Sequence, residues 1–197
     1  MKVLTWVIVV LAIALLVFTG VSLYQDLRPV RFHGTAYEPP APAPEFFLVE
    51  HTGQRLRLSD LRGKSVLLFF GYTTCPDVCP LTLANLRRAI DEIGAGPEKV
   101  RVVMITVDPD NDTMEALAAY VARFGPGVSG LTGSPDALDA LYGAYGVHVS
   151  PPSDGMGMMA HTPVVFGIDG AGQIRVLLHP TDPESGLADD IRSLLRL

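Results

Sequence analysis

Ser65-Val66-Leu67-Leu68-Phe69-Phe70-Gly71 passes through Tyr72 into Thr73-Thr74-Cys75-Pro76-Asp77-Val78-Cys79-Pro80. The first seven residues form a continuous apolar run, which suits a strand buried on both faces. The eight that end the stretch hold both cysteines of the chain, flanked by prolines. Pro80 has no N–H and is best tolerated at the first helical position, so the regular helix is expected over 80–93, with Cys79 near its N-cap and Cys75 on the preceding turn. A buried strand running into a helix opens a βα unit. Such junctions are where open α/β sheets bind ligands and react.

Working outward, residues 100–107 (VRVVMITV) read as a second buried strand, and Asp112-Thr113-Met114-Glu115 as a capping box opening a helix to residue 124. A short strand is expected at 128–131, a helix at 134–145, a hairpin of 162–168 with 173–178 around Asp169-Gly170-Ala171-Gly172, and a closing helix at 185–194. Upstream, 46–49 and 55–58 suit a hairpin with His51-Thr52-Gly53 in its turn. This order predicts an α/β fold with a central mixed β-sheet covered by helices on both faces.

The remaining sequence reads as a tether. No charged residue occurs over 3–23, and at about 1.5 Å per residue that run spans roughly the 30 Å of a hydrocarbon core. It exceeds the roughly 7 to 15 residues of a signal-peptide apolar region, and no A-x-A-like site follows, so residues 1–28 are expected to be a retained membrane anchor. With Lys2 on one side and Arg28 and Arg31, offset by Asp26, on the other, charge orients the anchor only weakly. An N-terminal anchor of this form serves as an export signal, which places the main domain outside the cytoplasm. Pro29, Pro39, Pro40, Pro42 and Pro44 make 29–44 a Pro-rich linker, expected to be extended and excluded from helices and ladders. That leaves a domain at 45–197. The 197-residue chain has net charge −6; without residues 1–28 it carries 13 basic and 20 acidic side chains, net −7. Such a balance disfavours nucleic-acid binding, and two cysteines make no disulfide scaffold.

Two cysteines four apart share one face of a helical turn, so their sulfurs can converge on one ion or on each other. Free N–H groups and the positive helix end favour thiolate over thiol. Two soft thiolates select Cu(I) or Zn and need at least one more donor. His33 in the linker, His51 in a turn and His179 beside Pro180 read as solvated loop residues, and His148 as a strand or edge residue. His161 differs, because it ends the loop Met156-Gly157-Met158-Met159-Ala160 at the start of a predicted strand whose mouth should face the cysteine turn. Asp77, between the thiols, suits a role in orienting the turn.

Thr73–Pro80, with Val107-Asp108-Pro109-Asp110-Asn111-Asp112-Thr113 and a histidine some 80 residues after the second cysteine, resembles the Sco/SenC family of membrane-anchored, thioredoxin-like copper proteins. The resemblance implies a thioredoxin-like fold in which Cys75, Cys79 and His161 bind one copper ion, as Cu(I) or Cu(II). It further implies a metallochaperone for cytochrome c oxidase assembly, delivering copper to, or reducing the cysteines of, the CuA centre of subunit II. Other periplasmic copper carriers and the membrane are then expected partners. Thr162-Pro163 resembles the Thr-Pro that faces the cysteines in thioredoxins, which keeps a redox role for the Cys75–Cys79 pair in view. Met156, Met158 and Met159 offer thioether donors or plain packing. The alternative is a thiol-disulfide oxidoreductase or thiol peroxidase, since Thr73-Thr74-Cys75-Pro76 also resembles peroxiredoxins; a peroxidase needs an arginine at the thiol, with Arg123 one candidate.

Other matches fail on context. Gly125-Pro126-Gly127-Val128-Ser129-Gly130 fits G-x-G-x-x-G but follows a helix rather than a strand. Asp108, Asp110 and Asp112 begin like a calcium loop that then lacks its glycine and its twelfth-position carboxylate.

Overall fold

A computed structural model describes residues 2–26, 30–149, 164–182 and 186–197. The chain divides into two compact units, residues 1–31 and 32–197. The first holds α1 (Lys2–Asp26), along which Trp6, Val10, Leu11, Leu15, Leu16 and Phe18 are all exposed. Counting described residues alone, no helix is long and apolar enough to cross a membrane.

The second unit is one eight-stranded sheet: β1 (Thr35–Pro42), β2 (Phe47–Glu50), β3 (Arg55–Arg57), β4 (Ser65–Gly71), β5 (Val100–Thr106), β6 (Val128–Thr132), β7 (Val165–Ile168) and β8 (Gln173–Leu178). The spatial order is β1-β8-β7-β4-β5-β6-β2-β3. Strands β4, β5 and β6 run parallel, and the others join antiparallel. The helices are α2 (Val78–Glu92), α3 (Met114–Val121), α4 (Pro135–Tyr145) and α5 (Leu187–Leu194). The fold is thus the expected thioredoxin-like α/β arrangement, a mixed central sheet flanked by helices.

Every residue of β4 is buried because each face of this strand meets a helix. On one face Phe70 packs edge-on against Tyr142 of α4 (centroids 5.8 Å) and at 5.4 Å from Tyr145, while Phe166 of β7 meets Tyr145 at 5.0 Å. On the other, a Cβ at Gly71 would lie 3.0 Å from the sulfur of Cys79 on α2, one at Gly130 would touch Leu117 and Val121 of α3, and one at Gly167 would reach Leu194 of α5. Alternation along each strand therefore sorts α2, α3 and α5 to one face and α4 to the other.

Three local expectations are corrected. The proline-rich stretch joins the sheet as β1, pairing Thr35 and Ala36, then Ala41 and Pro42, with β8 across an irregularity between Ala36 and Ala41. Pro39 and Pro40 fall in that irregularity and β1 is an edge strand, the two places where a missing N–H costs no ladder bond. The carboxylate of buried Asp190 accepts the N–H groups of His33 (2.7 Å) and Gly34 (2.8 Å) and fastens this segment to α5. Helix α2 begins at Val78, two residues before Pro80, since Pro80 at its third position is still among the N–H groups that have no intrahelical acceptor. The capping box at 112–115 is replaced by a single cap: Thr113 accepts the N–H of Ala116 at 3.2 Å, and Asp112 turns inward. Thr113→Ala is expected to cost about 1 kcal/mol, read as a lower urea midpoint at unchanged slope.

Candidate metal and thiol site

The cysteine turn is built by backbone bonds at the carboxyl ends of β4 and β5. Val107 N–H donates to Gly71 O (2.9 Å) and Cys75 N–H to Tyr72 O (3.3 Å). Asp112, 1% exposed, holds the turn from the side: its carboxylate accepts Thr73 N–H at 3.0 Å, Thr73 Oγ1 at 2.5 Å and Thr106 Oγ1 at 2.5 Å. This function for Asp112 was not legible in the sequence, where it sat within an apparent cap.

Both cysteines are free thiols, Cys75 half-buried and Cys79 buried. The N–H of Cys79 lies 3.4 Å from Cys75 Sγ. Their environments differ sharply. Burial alone would raise the Cys75 thiol, but hydrogen bonds from the N–H of Cys79, the N–H of Asp77, the Cys79 thiol and the Tyr72 hydroxyl outweigh it and hold Cys75 below the ordinary 9.0. Burial pushes the Cys79 thiol well above that value, and the neighbouring Cys75 charge adds to the shift despite an N–H from Tyr72. One sulfur is therefore the more acidic and more accessible, and the other a sheltered thiol. Asp77 contributes through its backbone, while its own side chain makes no cap bond at the start of α2.

The histidines sort as follows. His33 Nδ1 sits 3.2 Å from Asp190, His51 Nδ1 accepts Gly130 N–H at 3.3 Å, and His179 Nε2 is 3.5 Å from Thr35 Oγ1. His148 is exposed and outside any strand, contrary to expectation. His161, Met156, Met158, Met159, Thr162 and Pro163 lie outside the described residues, as does the start expected for β7. Among the described residues no group of three His, Cys, Asp or Glu side chains forms a metal cluster. Strand β7 opens beside the end of β4, with Val165 opposite Phe69. Arg123 stacks over the rings of Tyr120 (5.6 Å) and Phe124 (5.7 Å).

Fold and turn together define a thioredoxin-like protein with an asymmetric thiol pair where its central strand enters a helix. Residues 35–196 match the SCO1/SenC family, and the chain belongs to that family. It is 41% identical over 112 residues to human "Protein SCO1 homolog, mitochondrial", covering 55% of this chain and 37% of that protein. It is 32% identical over 155 residues to a "Putative copper-binding protein" of Stutzerimonas stutzeri, covering 78% and 71%. Among solved structures, ScoI of Bradyrhizobium japonicum with copper bound superposes with TM-score 0.69 at 31% identity, covering 78% of this chain and 99% of that one. Against the mitochondrial relatives from human and zebrafish, the chain spans only 37% and 56% of their length.

Proposed function

We propose that this chain is a copper-binding metallochaperone, tethered to a membrane by residues 1–28, whose domain at 45–197, joined by the segment 29–44, works on the extracytoplasmic, periplasmic side. The observation that carries the reading is the sulfur pair on one helical turn, in a family whose members have been solved with copper bound. Cys75 offers the more acidic, more accessible sulfur to an incoming ion, and Cys79 closes on it after losing its proton. His161 is the third donor of this reading. It stands four residues ahead of β7, and β7 starts beside the strand that leads into the cysteine turn; four residues reach about 14 Å. Two thiolates suit Cu(I), and an added imidazole raises tolerance for Cu(II). Copper is the cargo, and its destination is the CuA centre of cytochrome c oxidase subunit II. The anchor reading rests on the uncharged run at 3–23 and on the exposed Trp6, Val10, Leu11, Leu15, Leu16 and Phe18 of α1.

The thiol asymmetry also favours a second reading, reduction of a partner's disulfide. Cys75 thiolate attacks one partner sulfur and releases the other as a thiolate, giving a mixed disulfide. Cys79 gives up its proton and attacks the Cys75 sulfur, freeing the partner's second thiolate and leaving a Cys75–Cys79 disulfide.

Titration of the reduced full chain in detergent with Cu(I), against a chromogenic chelator, is expected to give one ion per chain. Cys75→Ala should abolish uptake. His161→Ala should retain Cu(I) with about tenfold weaker affinity and lose Cu(II). Stoichiometric binding after removal of both thiols, or indifference of both oxidation states to His161→Ala, overturns the ligand set.

A further inference from the structure

The two faces of the β2–β3 hairpin differ. Leu48 is buried and Leu56 packs on the core. On the reverse side Phe47 is 48% exposed, and Arg55 and Arg57 are exposed on the strand that ends the sheet. Phe47 stands directly opposite Arg57 in the ladder, and Arg55, two residues along β3, shares that face. The guanidinium carbons of Arg57 and Arg55 lie 4.5 and 5.2 Å from the centre of the Phe47 ring. One exposed aromatic ring thus carries two cations.

Neither arginine has a carboxylate partner among the described residues. The acidic groups nearest in sequence are engaged elsewhere. Glu50 accepts from Arg101, Ser129 and Thr52, and Asp60 takes the backbone N–H of Arg57 at 2.9 Å. Two like charges side by side on one ring repel each other, and they stay unpaired in a chain that beyond residue 28 carries 13 basic and 20 acidic side chains. Stacking uses the flat faces of a guanidinium and leaves its N–H edge for an anion, and phosphate matches that fork.

We propose that Phe47, Arg55 and Arg57 dock this domain on the phosphate headgroups of an anionic membrane surface, an inference resting on the anchor reading above. An apolar ring set between cations has the composition of an interfacial contact, in which the ring enters the headgroup layer and the guanidinium groups hold phosphate. Each arginine gives about a fivefold preference for an anionic over a neutral surface, too little to recruit a free protein. A tethered domain needs no more. Residues 27–34 connect α1 to β1, at most about 30 Å of extended chain, so the anchor supplies a high local concentration of headgroups. The patch then selects which face of the domain rests on them.

The test places the full chain in nanodiscs of phosphatidylcholine, or of phosphatidylcholine with phosphatidylglycerol, and follows phenylglyoxal modification of each arginine by peptide mass spectrometry. In anionic discs at low salt Arg55 and Arg57 should react at least about fivefold more slowly than in neutral discs, and high salt should erase the difference. Arg123, also exposed and stacked on Tyr120 and Phe124, is the internal reference and should react alike in both. Phe47→Ala and Arg55→Gln should each reduce the protection of Arg57. Equal rates for Arg55 and Arg57 in the two discs, or slowing that extends equally to Arg123, overturn the proposal and leave the anchor reading intact. Protein that does not stay with the discs overturns the anchor reading and this one with it. The same protection in neutral discs on adding glycerol phosphate or polyglutamate, at the headgroup concentration, assigns the patch to a free anion or an acidic protein and overturns membrane docking.

Discussion

Cys79→Ser protein takes up no Cu(I) at concentrations that saturate wild type, a weakening on the order of a thousandfold or more. Serine keeps the shape of the side chain, but its smaller oxygen is a hard donor that stays protonated, so one of the two soft ligands is lost. The same titration followed against pH separates the two sulfurs. Cys79 holds its proton far above neutrality because it is buried, so binding must expel that proton, and wild-type affinity should climb at least about tenfold per pH unit across neutrality. Cys75, held below the ordinary thiol value, adds to this slope only below its own depressed value. Without metal the stability signs are opposite for the two residues. Cys75's stabilisation grows as pH rises through its folded value and is complete above 9.0. For Cys79, whose folded value is raised, stability is full below the unfolded value of 9.0 and declines above it, by up to about 1.4 kcal/mol per unit. Metal-free protein should therefore lose denaturant resistance above pH 9 while the copper-loaded protein does not. Affinity independent of pH sinks the assignment of Cys79 as a ligand that must ionise.

The central strand, both helices around it and the sulfur turn were legible because each rests on local rules. The run is large and apolar at every position from Val66 to Phe70, which only a strand covered on both faces needs, and β4 proved to be buried throughout. The prolines of 29–44 misled because proline's prohibition is positional. At an edge, around an irregular stretch, it forfeits nothing, and the sequence does not say which strand will be the edge. Asp112 was misread for a related reason. An acidic residue just before a helix is usually a cap, and only the spatial approach of Thr73, 39 residues away, gives it another task. The inequality of the two thiols was hidden as well, because it arises from N–H groups of Asp77 and Cys79, the Tyr72 hydroxyl and depth below the surface. Tyr72 sits immediately before the motif. The histidines show where spacing stops informing. Four of the five are located, on Asp190, Gly130, Thr35 or in solvent, which sharpens the test on His161.

Asp112→Ala is expected to lower folding stability by about 3 kcal/mol, a large part of the roughly 5 to 15 kcal/mol that holds a domain of this size. The carboxylate is sealed from water and satisfies three donors, the Thr73 N–H, the Thr73 hydroxyl and the Thr106 hydroxyl. Alanine leaves all three without an acceptor, each worth about 1 to 3 kcal/mol when stranded, although their losses overlap. Thr106 Oγ1 also accepts the N–H of Asp108 at 3.0 Å, so the disturbance extends to the loop between β5 and α3. Asp112→Asn keeps the shape and one acceptor oxygen, and hydroxyls can rotate to donate to it or accept from its amide, so about half that loss is expected. Both variants are read by urea denaturation of the metal-free protein. Because Thr73 stands two residues before Cys75, the alanine variant should also weaken Cu(I) binding through a loosened turn, while Thr113→Ala, one residue along but pointing at α3, should leave binding unchanged. Equal copper affinity in wild type, Asp112→Asn and Asp112→Ala, despite the stability lost in the two variants, would show that the turn keeps its sulfur geometry without the carboxylate. A loss of affinity that follows the stability order, Asp112→Ala below Asp112→Asn below wild type, ties the sulfur spacing to the buried bonds beneath it.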